Sequence, residues 1–214
     1  LLLALGLMVL GASLMVAAAV AGTTSTSSAS KKGVTKGGTL RLNVSNTDYE
    51  YLDPALSYDS IGWSTIYAVN MQLLNYPDKP ASAGGNQLVP EAATGFPTVS
   101  KDGKTYTFTV KSGLKFSDGS AITAAAFQRA IFRVCHPDQG SPAVAFAGNF
   151  GNCTAFNEKK ASSLTGITAK GQQITFKLNQ ADPTFLSQLS MPFFAAVKPN
   201  MAIAEKKSAK KSSV

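Results

Sequence analysis

An α/β fold with irregular α+β content is predicted by three features of the sequence. Short alternating strands recur near residues 39–44, 105–110 and 174–178, helical stripes of apolar residues separate them, and the order never repeats as regular βαβ units. In the first strand Leu40, Leu42 and Val44 share one face, which reads as half-buried. Leu52-Asp53-Pro54 breaks that pattern, because the ring of Pro54 disfavours helix at Asp53. Ser60 is then expected to cap a helix whose stripe carries Trp63, Ile66, Tyr67, Asn70, Met71 and Leu74. A loop over 77–85 and a short extended piece, Leu88-Val89-Pro90, follow.

The clearest local signal is the turn Lys101-Asp102-Gly103-Lys104 running into a strand over 105–110, where Thr alternates with Tyr106, Phe108 and Val110. Leu114 and Phe116 alternate again before a second turn, Ser117-Asp118-Gly119. Thr123 is a good N-cap for a helix with Phe127, Ala130, Ile131 and Val134 on one stripe, stopped by His136-Pro137. Residues 140–152 read as a Gly-rich irregular segment. Gly171 turns into the strand over 174–178, and Asp182-Pro183 supplies a cap and an N1 proline for a short helix through Phe185, Leu186 and Leu189.

With 214 residues, 44% hydrophobic and 15% charged, the chain has the composition of one large domain or two small ones, not of a disordered protein. The net charge of +8 suggests nucleic acid until it is located. Seven of the twenty basic residues sit at 31–36 and 206–211; between Gly37 and Ala204 thirteen Lys/Arg face eleven Asp/Glu. A nucleic-acid footprint is a basic face on the folded part, so this balance excludes that class.

Residues 1–22 contain only Leu, Ala, Gly, Met, Val and Ser, and Ala19-Val20-Ala21 before Gly22 fits signal cleavage. The segment reads as a signal peptide or membrane anchor, 23–36 as a Ser/Thr/Lys linker, and 200–214 as a low-complexity tail. Export to the periplasm or the outer face of the cell membrane is therefore expected, with tethering by the apolar segment as one form of it. No cysteine follows that segment to take a lipid. Cys135 and Cys153 agree with an oxidising compartment, as one intramolecular disulfide or as two buried thiols; the disulfide closes seventeen residues and contributes about 3 kcal/mol.

Catalytic and metal-binding patterns are missing. The single histidine, His136, adjoins Cys135, but neighbours in sequence are not a spatial dyad, and no Gly-x-Ser-x-Gly elbow, phosphate loop or dinucleotide fingerprint occurs. One His and two Cys leave little for a zinc site. Asp102 and Asp118 read as turn residues, and the acceptor patterns at Asn43 and Asn152 as chance. No catalytic residue, metal site or cofactor is expected. Aromatic and amide side chains do gather near irregular segments: Asn46, Tyr49, Tyr51, Tyr58 and Trp63. Of these, Trp63 and Tyr67 on the helix stripe read as core, and Tyr49 and Tyr51 as cleft candidates.

A series of motifs then resembles one family. Gly37-Gly38-Thr39-Leu40, Leu52-Asp53-Pro54, Leu73-Leu74-Asn75-Tyr76 and Leu88-Val89-Pro90-Glu91 come in order. The stretch from Ser100 to Phe108 follows, then Leu114-Lys115-Phe116-Ser117-Asp118-Gly119, Gly166-Ile167 and Met191-Pro192-Phe193. Together they resemble the family 5 extracellular solute-binding proteins, the peptide, dipeptide and nickel receptors of ABC importers. The resemblance implies the first lobe of a type II periplasmic-binding-protein (Venus-flytrap) fold over 37–199. Its core would be 37–71 and 165–199, with an extra subdomain over 72–164. It implies a monomeric binding protein, not an enzyme, that captures a peptide or other small solute and hands it to a membrane permease. The loop after the first strand would contribute Asn46, Tyr49, Tyr51 and Leu52 to the ligand cleft. Family members are more than twice as long, so the sequence is expected to be the N-terminal part of a longer protein. A stand-alone exported module made of a single lobe is the alternative.

Overall fold

The computed structural model describes residues 37–39, 41 and 50–203. The signal or anchor segment, the linker, most of the strand expected over 39–44 and the end of the tail lie outside the described residues. The chain divides into units of residues 1–42 and 43–214. In the first, Gly37–Thr39 and Arg41 are exposed and belong to no helix or strand; the elements below belong to the second.

Helix α1 spans Ser60–Val69, and its N-cap is Asp59, not the expected Ser60: the Asp59 carboxylate accepts the Gly62 N–H at 2.7 Å. The helix also ends earlier than its apolar stripe. Asn70 is already extended, and Leu74 sits in β1 (Leu74–Asn75), paired antiparallel with β2 (Val89–Pro90). Of the expected stripe, Ile66 and Leu74 are buried, Trp63, Asn70 and Met71 are partly buried, and Tyr67, read as core, is 37% exposed because it borders the open β1–β2 surface. Apolar spacing could not register the change from helix to strand, because both conformations can bury Leu74. The loop between them contains a 3-10 turn, Ala81–Ala83.

A four-stranded antiparallel sheet has the order β3-β4-β6-β5, with β3 at Thr98–Val99, β4 at Thr105–Thr109, β5 at Ile167–Lys170 and β6 at Gln173–Lys177. The alternation holds: Tyr106 and Phe108 on β4 and Ile174 and Phe176 on β6 point into the core. The opposite faces carry Thr107 and Thr175, whose hydroxyls meet at 3.1 Å. β5 and β6 form a hairpin turning at Gly171 and Gln172, and β5 is a strand that alternation alone did not reveal. The β4–β6 ladder joins the segments 72–164 and 165–199, so the boundary expected at residue 164 passes through one continuous sheet.

Helix α2, Ala124–Cys135, lays Phe127, Ala130, Ile131 and Val134 on this sheet, all buried as the stripe requires. Thr123 occupies its N-cap position without a side-chain cap bond, and His136 ends it. The expected irregular segment contains α3 (Val144–Ala147), and α4 (Cys153–Asn157) follows it. Cys135 at the end of α2 is disulfide-bonded to Cys153 at the start of α4, and neither cysteine is free. Leu114 and Phe116 form no strand; a single bridge, Lys115 to Ala121, closes the Asp118-Gly119 turn. The last helix, α5 (Phe185–Gln188), starts two residues after Pro183, because Asp182 caps Thr184 through both its N–H and its hydroxyl. A 3-10 turn, Pro192–Phe194, completes the core with Phe193 and Phe194. Phe150, Phe176, Phe185 and Phe194 pack with ring centroids 5.3–6.1 Å apart. Each such pair adds about 0.5–1.5 kcal/mol beyond area burial.

Candidate functional site

The loop from Glu50 to Asp59, which leads into α1, contains Tyr51 and Leu52, two of the four ligand contacts expected from the sequence. Its first half is pinned from below. Asp53 takes a bidentate ion pair from Arg133 of α2, at 2.8 and 2.5 Å, and the same carboxylate accepts the Ala55 N–H. Arg133 is only 1% exposed. Its Nε donates to the carbonyl of Ala202, and Arg129, one turn earlier, donates to the carbonyl of Met201. One helix thus fixes both the Leu-Asp-Pro turn and the segment after Pro199 through charge-assisted bonds.

The second half of the loop is fixed by α1. The indole N–H of Trp63 donates to the Ser57 carbonyl at 2.8 Å, and Ser57 is buried. Gly62 lets the loop approach: a Cβ there would stand 2.2 Å from Ser57 Oγ and 3.0 Å from the Tyr51 carbonyl. Tyr58 is held out from this frame, 55% exposed, with its ring 5.7 Å from Phe193, 6.0 Å from Trp63 and 6.2 Å from Phe146. The result is an aromatic platform presented by a rigid loop.

Leu52, 57% exposed, belongs to a groove of about 660 Å³, whose apolar walls include Met71, Phe116, Val197 and Met201. Lys115 and Lys198 lie at this groove, and Lys198 reaches Asp118 at 2.7 Å, tying the 115–121 turn to the 196–201 segment. That ammonium, with the Ser120 hydroxyl and N–H, holds the Asp118 carboxyl well below the usual carboxylate range. Of the sequence-predicted contacts, Leu52 lines the groove and Tyr51 is half-buried without lining it. Asn46 and Tyr49 lie outside the described residues. Tyr58, Phe146 and Phe193 come together only through the fold, and Tyr58 alone stood out in the sequence. Trp63 packs edge-on against Phe193 at 5.3 Å, and Tyr67 is half-exposed with its hydroxyl on the Ser190 carbonyl. Arg133 carried no signal in the sequence, because it lies beside the apolar stripe of α2 and not on it.

His136 packs beside the rings of Phe132 and Phe156, which also touch each other, and its neighbour Cys135 is oxidised. Among the described residues no three His, Cys, Asp or Glu are grouped to hold a metal ion. Asn152 uses both ends of its amide, donating to Ser163 and accepting from Thr165.

The profile described as bacterial extracellular solute-binding proteins, family 5, middle part, matches residues 87–213. The chain belongs to this family. The dipeptide-binding protein DppE of Bacillus subtilis is 30% identical over 162 residues, covering 74% of this chain and 28% of its own. Among solved structures, the substrate-binding domain of an oligopeptide ABC transporter from Bacillus anthracis superposes with a TM-score of 0.66 at 25% identity, over 73% of this chain and 29% of that one. The murein tripeptide binding protein MppA of Escherichia coli gives 0.64 at 27%, over 71% and 29%. This family 5 chain therefore spans under a third of the length of these relatives. Its mixed α/β architecture is part of a lobe of the type II periplasmic binding fold, as the sequence predicted.

Proposed function

We propose that the chain is part of the substrate-binding component of an ABC importer, capturing peptides outside the membrane and delivering them to a permease. The observation that carries this reading is the family match over residues 87–213, joined by relatives that are named dipeptide- and oligopeptide-binding proteins. The loop of residues 50–59 supports it physically. A rigid aromatic platform at Tyr58 and an apolar groove at Leu52 offer surfaces for side chains, and pre-fixed surfaces lose little entropy on binding. Closure of two lobes around the solute would create the form that the permease reads. In this reading residues 1–22 direct or anchor the chain, 23–36 tether it, and Asn46, Tyr49, Tyr51 and Leu52 lie along one cleft wall. The receptor acts as a monomer without cofactor or chemistry.

Calorimetric titration of the full-length protein with a library of short peptides tests it, with saturable heat expected at micromolar or better affinity. Absence of heat from every member overturns the peptide reading. Tyr58→Ala in the same protein is expected to weaken binding about tenfold, the loss of one ring contact of about 1.4 kcal/mol.

A further inference from the structure

A second cleft, about 750 Å³, lies on the β1–β2 ladder, walled by Tyr67 of α1, by Asn75 to Asp78 and by Val89 to Glu91. Its chemistry differs from that of the groove at Leu52. Glu91 is anchored but not neutralised: Oε2 accepts the Gln72 N–H at 2.7 Å and Oε1 accepts the Asn75 amide at 3.3 Å. Among the described residues no cation is ion-paired with this carboxylate. The neighbouring Lys111 donates instead to the backbone carbonyl of Glu91, at 2.6 Å. A half-buried carboxylate that makes no direct ion pair bears a desolvation cost that an incoming cation offsets. Burial accordingly pushes the Glu91 carboxyl up, against its two hydrogen bonds and the charge of Lys111.

Two tyrosines flank it with their rings fixed and partly open. Tyr67 and Tyr76 are 37% and 41% exposed, and their hydroxyls are tied to the Ser190 carbonyl and to Ser187 Oγ. Both residues line the cleft, and an aromatic ring attracts a cation placed over its face. Pro77, Val89 and Pro90 add apolar wall, Asp78 adds a second carboxylate, and no Lys or Arg lines the cleft. The negative field reaches the phenol of Tyr67, which burial first and the Glu91 charge next push up.

We infer that this cleft binds a guanidinium or alkylammonium head on a short apolar stem. Glu91 pairs with the charge, the rings of Tyr67 and Tyr76 cover it, and Val89 and Pro90 take the stem. The site is separate from the peptide reading and stands or falls without it. The same head can come from a free amine or from an Arg or Lys side chain of a polypeptide.

The test is nuclear magnetic resonance titration of the full chain with n-butylguanidinium, n-butylammonium and the neutral n-butylurea, following the amides of Asn75, Tyr76 and Val89. Both cations are expected to give saturable shifts in the millimolar range, with n-butylurea about tenfold weaker or more. Glu91→Gln keeps the shape and an acceptor for Gln72, and is expected to weaken the cations about tenfold, while Tyr76→Leu weakens them about threefold. Lack of saturable shifts overturns the site, as does equal binding of n-butylurea or an undiminished affinity in folded Glu91→Gln. Should Glu91→Gln fail to fold, Tyr76→Leu combined with Asp78→Asn decides: a loss of about threefold or more supports the site and no loss overturns it. Acetyl-Ala-Arg-Ala-amide separates the sources: tighter binding than n-butylguanidinium supports the site as one for a polypeptide side chain, and equal or weaker binding supports it as one for a free amine.

Discussion

Asp53 and Arg133 illustrate how a charged pair inside a core specifies position more than it adds stability. Desolvating the guanidinium consumes most of what the bidentate contact returns, but removing one partner leaves the other buried and unpaired. Asp53→Ala is therefore expected to destabilise the protein by about 3–5 kcal/mol, measured by chemical denaturation. The double variant Asp53→Leu with Arg133→Met should recover most of that loss, because the apolar pair carries no uncompensated charge. Single residues of this kind were only half legible in the sequence. Leu52-Asp53-Pro54 announced a turn through proline sterics, whereas the partner 80 positions away had no local signature.

Among elements, the helix stripe of α2 and the alternation of β4 and β6 were readable because each buries one face, and a face has a period. Boundaries were less readable where a side chain competed with the backbone. Asp59 displaced Ser60 as cap, and Asp182 held Thr184 so that α5 began late. Partner choice within the sheet was not readable at all, since alternation states which side is buried and not which strand lies alongside. The packing of the hairpin strands onto the α3–α4 region rests on a close backbone crossing: Gly151 and Gly166 both have positive φ, and a Cβ on Gly166 would stand 2.6 Å from the Gly151 Cα. Gly166→Ala is expected to cost about 2–4 kcal/mol from strain and collision together, read as a lowered denaturation midpoint. In the loop before α1, Tyr51 and Tyr58 were visible as aromatic residues of an irregular segment. The platform under Tyr58 was not, because Phe146 and Phe193 come from distant segments.

Across the whole molecule, one covalent tie joins α2 to α4, closing a loop with a sequence separation of 18. Reduction is expected to lower the unfolding free energy by about 3 kcal/mol, measured by denaturant melts with and without reductant. An unchanged midpoint would mean that the reduced chain keeps the loop closed by packing alone. Charge location, unlike strand pairing, is written directly in the order of residues: lysine-rich ends flank a near-neutral body.

The β4–β6 ladder has a temporal consequence. Thr107 and its partner Thr175 are 68 positions apart, so β4 leaves the ribosome several seconds before β6 at ordinary rates of synthesis. Throughout that interval Thr-Tyr-Thr-Phe-Thr is an uncharged, β-prone stretch with one edge unmatched, the kind of segment that associates with its own copies. Lys101 and Lys104 precede it and Lys111 follows it, placing repelling charges at both ends of the vulnerable run. The lysines bracketing β4 thus act as gatekeepers for a strand that must wait for its neighbour to be made.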